Sequence, residues 1–244
     1  MTDRATPELM TREEYLAHWA QLHGGYDVSG APGSAGASVV GFVRGWLSIA
    51  YVCARPLARA RVSPDLLTGL GLLVSVGLVG LAAAGRAWPL LALIVVPASA
   101  LADSLDGAVA VMTNRSTRFG FVLDSVVDRI SDTLYVVALW LLGAPVGVCV
   151  VAGTLMGLHE YLRARALAAG MSDIGAVTVW ERPTRVVVTT IFVVLCGLAF
   201  LVGGQNLWQS PGFWASMAVW AWIGLGIVGL EQLVIAVRSA LGRD

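Results

Sequence analysis

The chain has 244 residues, 57% of them hydrophobic and 13% charged, with a mean hydropathy of +0.76. Soluble domains carry roughly twice that charged fraction, which argues against a water-soluble core and makes an integral membrane protein the default. Sixteen acids balance sixteen basic residues, all arginine, so no net field points to nucleic acid. Cys53, Cys149 and Cys196 are isolated in apolar surroundings and fit neither a metal site nor a disulfide framework.

Residues 1–38 form a polar extension, with a short helix expected over Thr11–Leu22 and a flexible Gly/Ser/Ala/Pro-rich linker over Gly24–Ser38. No basic segment precedes an apolar run there, so a cleaved signal peptide is not expected. Val39–Arg61 mixes Phe42, Trp46 and Tyr51 with four arginines, a pattern that suits an amphipathic helix lying in the membrane interface. Pro64 and Asp65 then read as the start of a first membrane span. A span needs roughly 20 predominantly apolar residues. Six stretches qualify: about Leu66–Gly85, Trp88–Met112, Phe119–Leu142, Pro145–Arg165, Val186–Gly204 and Phe213–Val237. The expected fold is therefore an all-α integral membrane protein. Residues 39–61 form its interfacial helix, and residues 62–244 its domain of six transmembrane helices.

Arginine placement sets the sidedness. Arg44, Arg55, Arg59 and Arg61 precede the first span, and Arg115 and Arg118 join spans two and three. Arg163, Arg165, Arg182 and Arg185 join four and five, and Arg238 and Arg243 follow six. The alternate connections hold Arg86 alone. The positive-inside rule then puts both termini, and the ends of spans two and three that share a loop, on the cytoplasmic side of the cell membrane.

Five aspartates interrupt the apolar pattern near that loop. Asp103 and Asp106 are spaced i, i+3, and Asp124, Asp128 and Asp132 are spaced i, i+4, i+8, so each set follows one helical face. Only a short connection around Thr113–Thr117 separates the two helices, so the faces can meet. Ionised carboxylates at membrane depth are costly and repel one another. Divalent Mg²⁺ or Mn²⁺ relieves both problems and can clamp a phosphate. Gly107 and Gly120 leave space for a ligand beside the acids. Two other readings stay open: acids paired with Arg115, Arg118 and Arg129, or the carboxylates of a cation-coupled transporter.

The spacing resembles the signature of the CDP-alcohol phosphotransferases, D-x-x-D-G-x-x-A-R-x8-G-x-x-x-D-x-x-x-D. It is matched here by Asp103, Asp106, Gly107, Ala110, Gly120, Asp124 and Asp128, over a chain segment of about Val62 to Val237. The stretch STRFGFVLDSVVDRISD, which includes Asp132, and the later EYLRARALAAGMSDIGAVTVWERPTRV are similar to the phosphatidylinositol phosphate synthase branch. The resemblance implies transfer of a phosphatidyl group from CDP-diacylglycerol to a phosphorylated polyol, inositol phosphate above all, with release of CMP. It implies two divalent cations held by Asp103, Asp106, Asp124 and Asp128, with Asp128 also the general base. Gly107, Ala110, Thr117, Arg118 and Gly120 would contact the CDP donor. Arg163, Arg182 and Arg185 would bind the acceptor phosphate, although positive-inside anchoring also explains arginines there. A phosphatidylglycerophosphate synthase is the nearest rival specificity. Relatives are often homodimers, but no dimer seam stands out among the scattered small residues.

Val111 stands where the signature has arginine. Arg115 or Arg118 would compensate if the helix continued past them; otherwise the chain would be an impaired or altered CDP-lipid-binding relative. The intact aspartates favour an active enzyme. His159 and Glu160 are expected to line the acceptor pocket or pair with Arg163, and Glu231 to snorkel or pair with Arg238. Trp208, Trp214, Trp220 and Trp222 read as an interfacial, lipid-facing belt.

Overall fold

The computed structural model describes residues 9–22, 37–171 and 178–242. Most of the linker over Gly24–Ser38, His23 and Arg243 lie outside the described residues. Those described are helical, without strands: α1 (Arg12–Leu22), α2 (Ala37–Arg59), α3 (Pro64–Ala84), α4 (Ala92–Met112), α5 (Arg118–Leu141), α6 (Val146–Ala168), α7 (Arg182–Val202) and α8 (Pro211–Leu241). Short 3-10 turns at Trp88–Leu91 and Leu207–Gln209 lead into α4 and α8.

Helix boundaries follow local chemistry. Pro64, Pro183 and Pro211 occupy first-turn positions, where a missing N–H costs nothing. α7 begins at Arg182, four residues before the expected span, because Glu181 is extended (φ −78°, ψ 164°) and Pro183 starts the turn. Arg182 and Arg185 are thereby helical rather than part of a loop. α4 stops at Met112, where Asn114 turns left-handed (φ 53°) and the Arg115 N–H returns to the Ala110 carbonyl at 2.8 Å. The helix therefore does not continue to Arg115 or Arg118. Arg115 instead reaches the carbonyl of Arg61 at 3.5 Å.

Among the described residues, four segments are long and apolar enough to cross a membrane: Pro64–Ala84, Trp88–Met112, Arg182–Val202 and Pro211–Leu241. The helices α5 and α6 have the length, 24 and 23 residues, but carry the charged side chains described below.

The chain divides into two compact units, residues 1–68 with 101–124 and residues 69–100 with 125–244. In the first, Tyr15 and Leu16 of α1 are buried in a cluster with Leu47, Tyr51, Ala54 and Ala58 of α2 and Ala108, Val109 and Met112 of α4. Val111 packs against the same cluster, half-buried. Polar bonds hold α1 in place: Tyr51 donates to the Met10 carbonyl at 3.0 Å, and Arg12 to the Ser48 hydroxyl at 2.9 Å. Thr11 and Glu14 exchange hydrogen bonds as a capping box, which lowers the Glu14 carboxyl from its usual range. Burial pushes the Tyr15 phenol up to about 12.

In the second unit, Tyr135 and Leu139 of α5, Met156 of α6, Val193 and Cys196 of α7 and Val219 of α8 form a core with Trp180 and Trp222. Trp222, expected in the lipid-facing belt, is 1% exposed and meets Trp180 edge-on at 5.0 Å. Two residues earlier on α8, Trp220 faces outward and is half-exposed. Trp208 is exposed, while Trp214 is half-buried and donates its indole N–H to the Trp208 carbonyl at 2.7 Å. Trp180 fills a notch in α8, where any Cβ on Gly229 would collide with it. Gly143 needs its freedom in a different way. Its φ is +111°, and a Cβ there would sit 2.9 Å from Cα of Gly212. Hydroxyls staple the helices: Ser75 and Ser99 share a hydrogen bond at 2.6 Å, and each lies 3.1 Å from the Gly71 carbonyl, which accepts from the one left free to donate.

Candidate functional site

Asp103 on α4 and Asp124 on α5 bring carboxylate oxygens within 4.8 Å of one another. Asp128, one turn along α5 from Asp124, offers an oxygen at the same spacing from it. The i, i+4 spacing on α5 returns Asp128 to the side of the helix that carries Asp124. Oxygens so spaced can share a divalent cation, because metal–oxygen bonds run about 2.0–2.6 Å and opposite ligands lie twice that apart. An all-carboxylate donor set suits hard ions such as Mg²⁺ or Mn²⁺. These residues therefore fit a divalent metal.

Asp106, expected beside them, has a different environment. It is 4% exposed, accepts the Thr68 hydroxyl of α3 and takes the Gly107 N–H at 2.6 Å. The i, i+3 step turns it away from the direction of Asp103 by about 60° at 3.6 residues per turn. Thr68 was not apparent in the sequence, because a lone hydroxyl in an apolar span carries little signal; its place four residues after Pro64 is the only clue.

The expected donor residues flank the acids. Gly107 is exposed, and a Cβ there would meet nothing within 4 Å, whereas Ala110 is half-buried. A Cβ on Gly120 would sit 3.0 Å from the Thr117 hydroxyl and 3.6 Å from the Asp65 carboxylate. Thr117 caps α5 by accepting the Gly120 N–H at 2.9 Å. Arg118 opens the helix, exposed.

In the second unit, α5, α6 and α7 assemble an ionic network. Arg182 pairs with Asp128, which also lies 3.5 Å from Arg129. Arg129 reaches Glu160 at 2.5 Å and Asp132 at 3.6 Å. Arg185 forms an ion pair with Asp132 at 2.9 Å and donates to Glu160 at 2.8 Å, with its guanidinium 5.9 Å from the Trp180 ring centre. Asp132 and Arg185 are almost wholly buried, at 0% and 1% exposure. Full burial is tolerable because each charge has opposite charges at hydrogen-bond distance.

The three arginines expected for the acceptor therefore separate. Arg182 and Arg163 remain partly exposed, and Arg163 is held at 2.6 Å by Glu181. Glu181 also accepts the Thr178 N–H and hydroxyl, both at 2.9 Å. Arg185 points inward, one turn deeper on α7. His159 is buried against the Thr178 hydroxyl at 3.2 Å. Glu160 pairs with Arg129 and Arg185, and of its two expected roles the pairing with Arg163 gives way to these. The sequence could not choose among these arginines, because the start of α7 decides which one faces α6.

A family model of CDP-alcohol phosphatidyltransferases matches residues 61–230, well over half of the chain. The chain belongs to the CDP-alcohol phosphatidyltransferase family. It is 34% identical over 207 residues to the phosphatidylinositol phosphate synthase of Mycolicibacterium smegmatis, covering 79% of this chain and 87% of that one. The fold matches crystal structures of the Mycobacterium tuberculosis phosphatidylinositol phosphate synthase at 28% identity. The form with CDP-DAG bound superposes with a TM-score of 0.63, covering 81% of this chain and 98% of that one. The form with manganese and citrate gives 0.62, covering 80% and 92%. All the aspartates of the CDP-alcohol phosphatidyltransferase motif, and Arg163, Arg182 and Arg185, lie inside the matched segment.

Proposed function

We propose that this family member is a phosphatidylinositol phosphate synthase, transferring the phosphatidyl group of CDP-diacylglycerol to a hydroxyl of inositol phosphate and releasing CMP. One observation carries the reading: Asp128 stands a turn from Asp124 on the acid face of α5 and is also the partner of Arg182. A carboxylate so placed adjoins both a metal-bound pyrophosphate and an arginine-bound acceptor phosphate. The named relatives, and the neighbour with CDP-DAG bound, support the donor and acceptor classes.

Two divalent cations, Mg²⁺ or Mn²⁺, when held by Asp103, Asp106, Asp124 and Asp128, would stabilise negative charge on the donor pyrophosphate. Gly107, Ala110, Thr117, Arg118 and Gly120 line the donor path. Arg163 and Arg182 take the acceptor phosphate, where guanidinium forks suit its oxygens. Asp128 accepts the hydroxyl proton as the acceptor oxygen bonds to the phosphatidyl phosphorus, and CMP leaves with the bonding electron pair. Arg185 keeps Asp132 and Glu160 in place behind them.

In this reading α5 and α6 join the four apolar segments as spans, their charges turned toward one another, and α2 lies in the interface. The site is cytoplasmic, which suits a water-soluble acceptor, and the arginine placement puts both termini on the same side. The test is CMP release by purified protein given CDP-diacylglycerol, Mg²⁺ or Mn²⁺ and a panel of acceptors. Release with inositol phosphate alone, lost in Asp128→Asn, is expected. Release with glycerol 3-phosphate instead would reassign the acceptor, and none with any acceptor would overturn the transferase reading.

A further inference from the structure

The family match starts at residue 61, so α2 lies outside it. Yet α2 reaches the aspartate motif directly: the Trp46 indole N–H donates to the hydroxyl of Ser104 at 2.9 Å. Ser104 directly follows Asp103 and precedes Asp106 by two residues. We propose that Trp46 is a positioning residue for the metal-binding face of α4. The inference rests on the metal-dependent reading above.

The geometry of α4 explains why such a bond matters. Ser104, Ala108 and Val111 are spaced i, i+4, i+7 and so form one stripe along the helix. Ala108 and Val111 belong to the apolar cluster shared with α1 and α2, and Ser104 continues that stripe toward the acids. Apolar packing is non-directional, so on its own it leaves a helix free to make small rotations and slides. A single directional hydrogen bond at Ser104 fixes the register of α4 next to Asp103. Metal ligands need placement within about 0.5 Å, and groups that orient them from behind govern affinity strongly.

Trp46 is itself held firmly. Its neighbours Leu47, Ala50, Tyr51, Ala54 and Ala58 line the buried side of α2, and α1 clamps that side through Tyr15 and Leu16. Arg12 bonds Ser48, two residues from Trp46. The indole N–H has only one donor, so its bond to Ser104 fixes one orientation of the ring. The stripe also gives Val111 a role: it is the apolar footing of the brace, on the helix that carries the acids.

The test uses the full chain in detergent and titrates Mn²⁺ by electron paramagnetic resonance. Trp46→Phe keeps an aromatic ring and removes the N–H. It should weaken Mn²⁺ binding about 10-fold, the usual size for losing an orienting partner. The melting temperature should stay that of the wild type, and so should the acceptor KM. Ser104→Ala should match it, and the double variant should bind no worse than either single one. Wild-type affinity in Trp46→Phe, or additive losses in the double variant, would overturn the role of Trp46 while leaving the metal reading intact. A parallel fall in melting temperature and affinity in Trp46→Phe, with Ser104→Ala unchanged, would mean packing alone and would also overturn it. Wild-type protein that binds no Mn²⁺ would overturn the metal reading, and this inference with it.

Discussion

Asp124 and Asp132 lie eight residues apart on one helix, in different units, and meet their charge in opposite ways. Asp132 is sealed among protein cations, with Arg185 at 2.9 Å and Arg129 at 3.6 Å. Asp124 is gathered with another carboxylate, within 4.8 Å of Asp103. In low dielectric every carboxylate needs a counter-charge. A resident arginine provides a permanent one and makes structure; a cluster of acids suits the exchangeable divalent cation proposed above. Asp128, between them on α5, takes part in both arrangements.

Substitutions should separate the two behaviours. Asp124→Asn should reduce CMP release on the order of 10³-fold, the scale of losing metal charge stabilisation, and abolish Mn²⁺ binding. Its melting temperature without metal should fall far less than that of Asp132→Asn, because the neighbouring Asp103 carboxylate repels its charge. Asp132→Asn should behave in reverse, destabilising by about 3–5 kcal/mol because Arg185 is left buried without its partner. Thermal unfolding in detergent measures this, and the double variant Asp132→Leu with Arg185→Met should recover most of the loss. If Asp132→Asn melted like wild type, the distinction between structural and site carboxylates would fail.

Arg182→Ala tests the boundary between the two groups. It should raise the acceptor KM about 10-fold, the worth of a charge-assisted phosphate contact, and leave the donor KM unchanged. Equal effects on both constants would make the arginine an anchor. The smallest effect is expected from Val111→Arg, which puts a guanidinium at the edge of an apolar cluster. Stability should drop by about 1 kcal/mol with no gain in CMP release. A large gain would show that the natural chain lacks a brace that Trp46 does not supply.

How much of this was legible from residues depends on the range of the force involved. The helices α3 and α8 were plain, because a run of apolar residues bounded by proline and glycine declares itself locally. So was the acid face of α5, since i, i+4 spacing on a helix puts its aspartates on one side. The start of α7 was hidden because arginines at Arg182 and Arg185 read as a cytoplasmic loop, although Glu181 and Pro183 mark a helix start. The inward turn of Trp222 depends on Trp180, 42 residues earlier, and no local pattern carries that. Asp106 was placed with its neighbours by spacing, yet Thr68 draws it toward α3. The Trp46–Ser104 bond spans 58 residues and joins two side chains that are unremarkable alone.

The Gly143–Gly212 approach limits how the molecule can change. Most tight contacts allow exchange, with one side chain growing as its neighbour shrinks. Here both partners are already glycine, with the Gly143 carbonyl 3.3 Å from where a Cβ on Gly212 would stand. Neither can yield space to the other, so no pair of substitutions restores the contact once either is enlarged. The turn after α5 and the start of α8 can drift only together, by moving backbone.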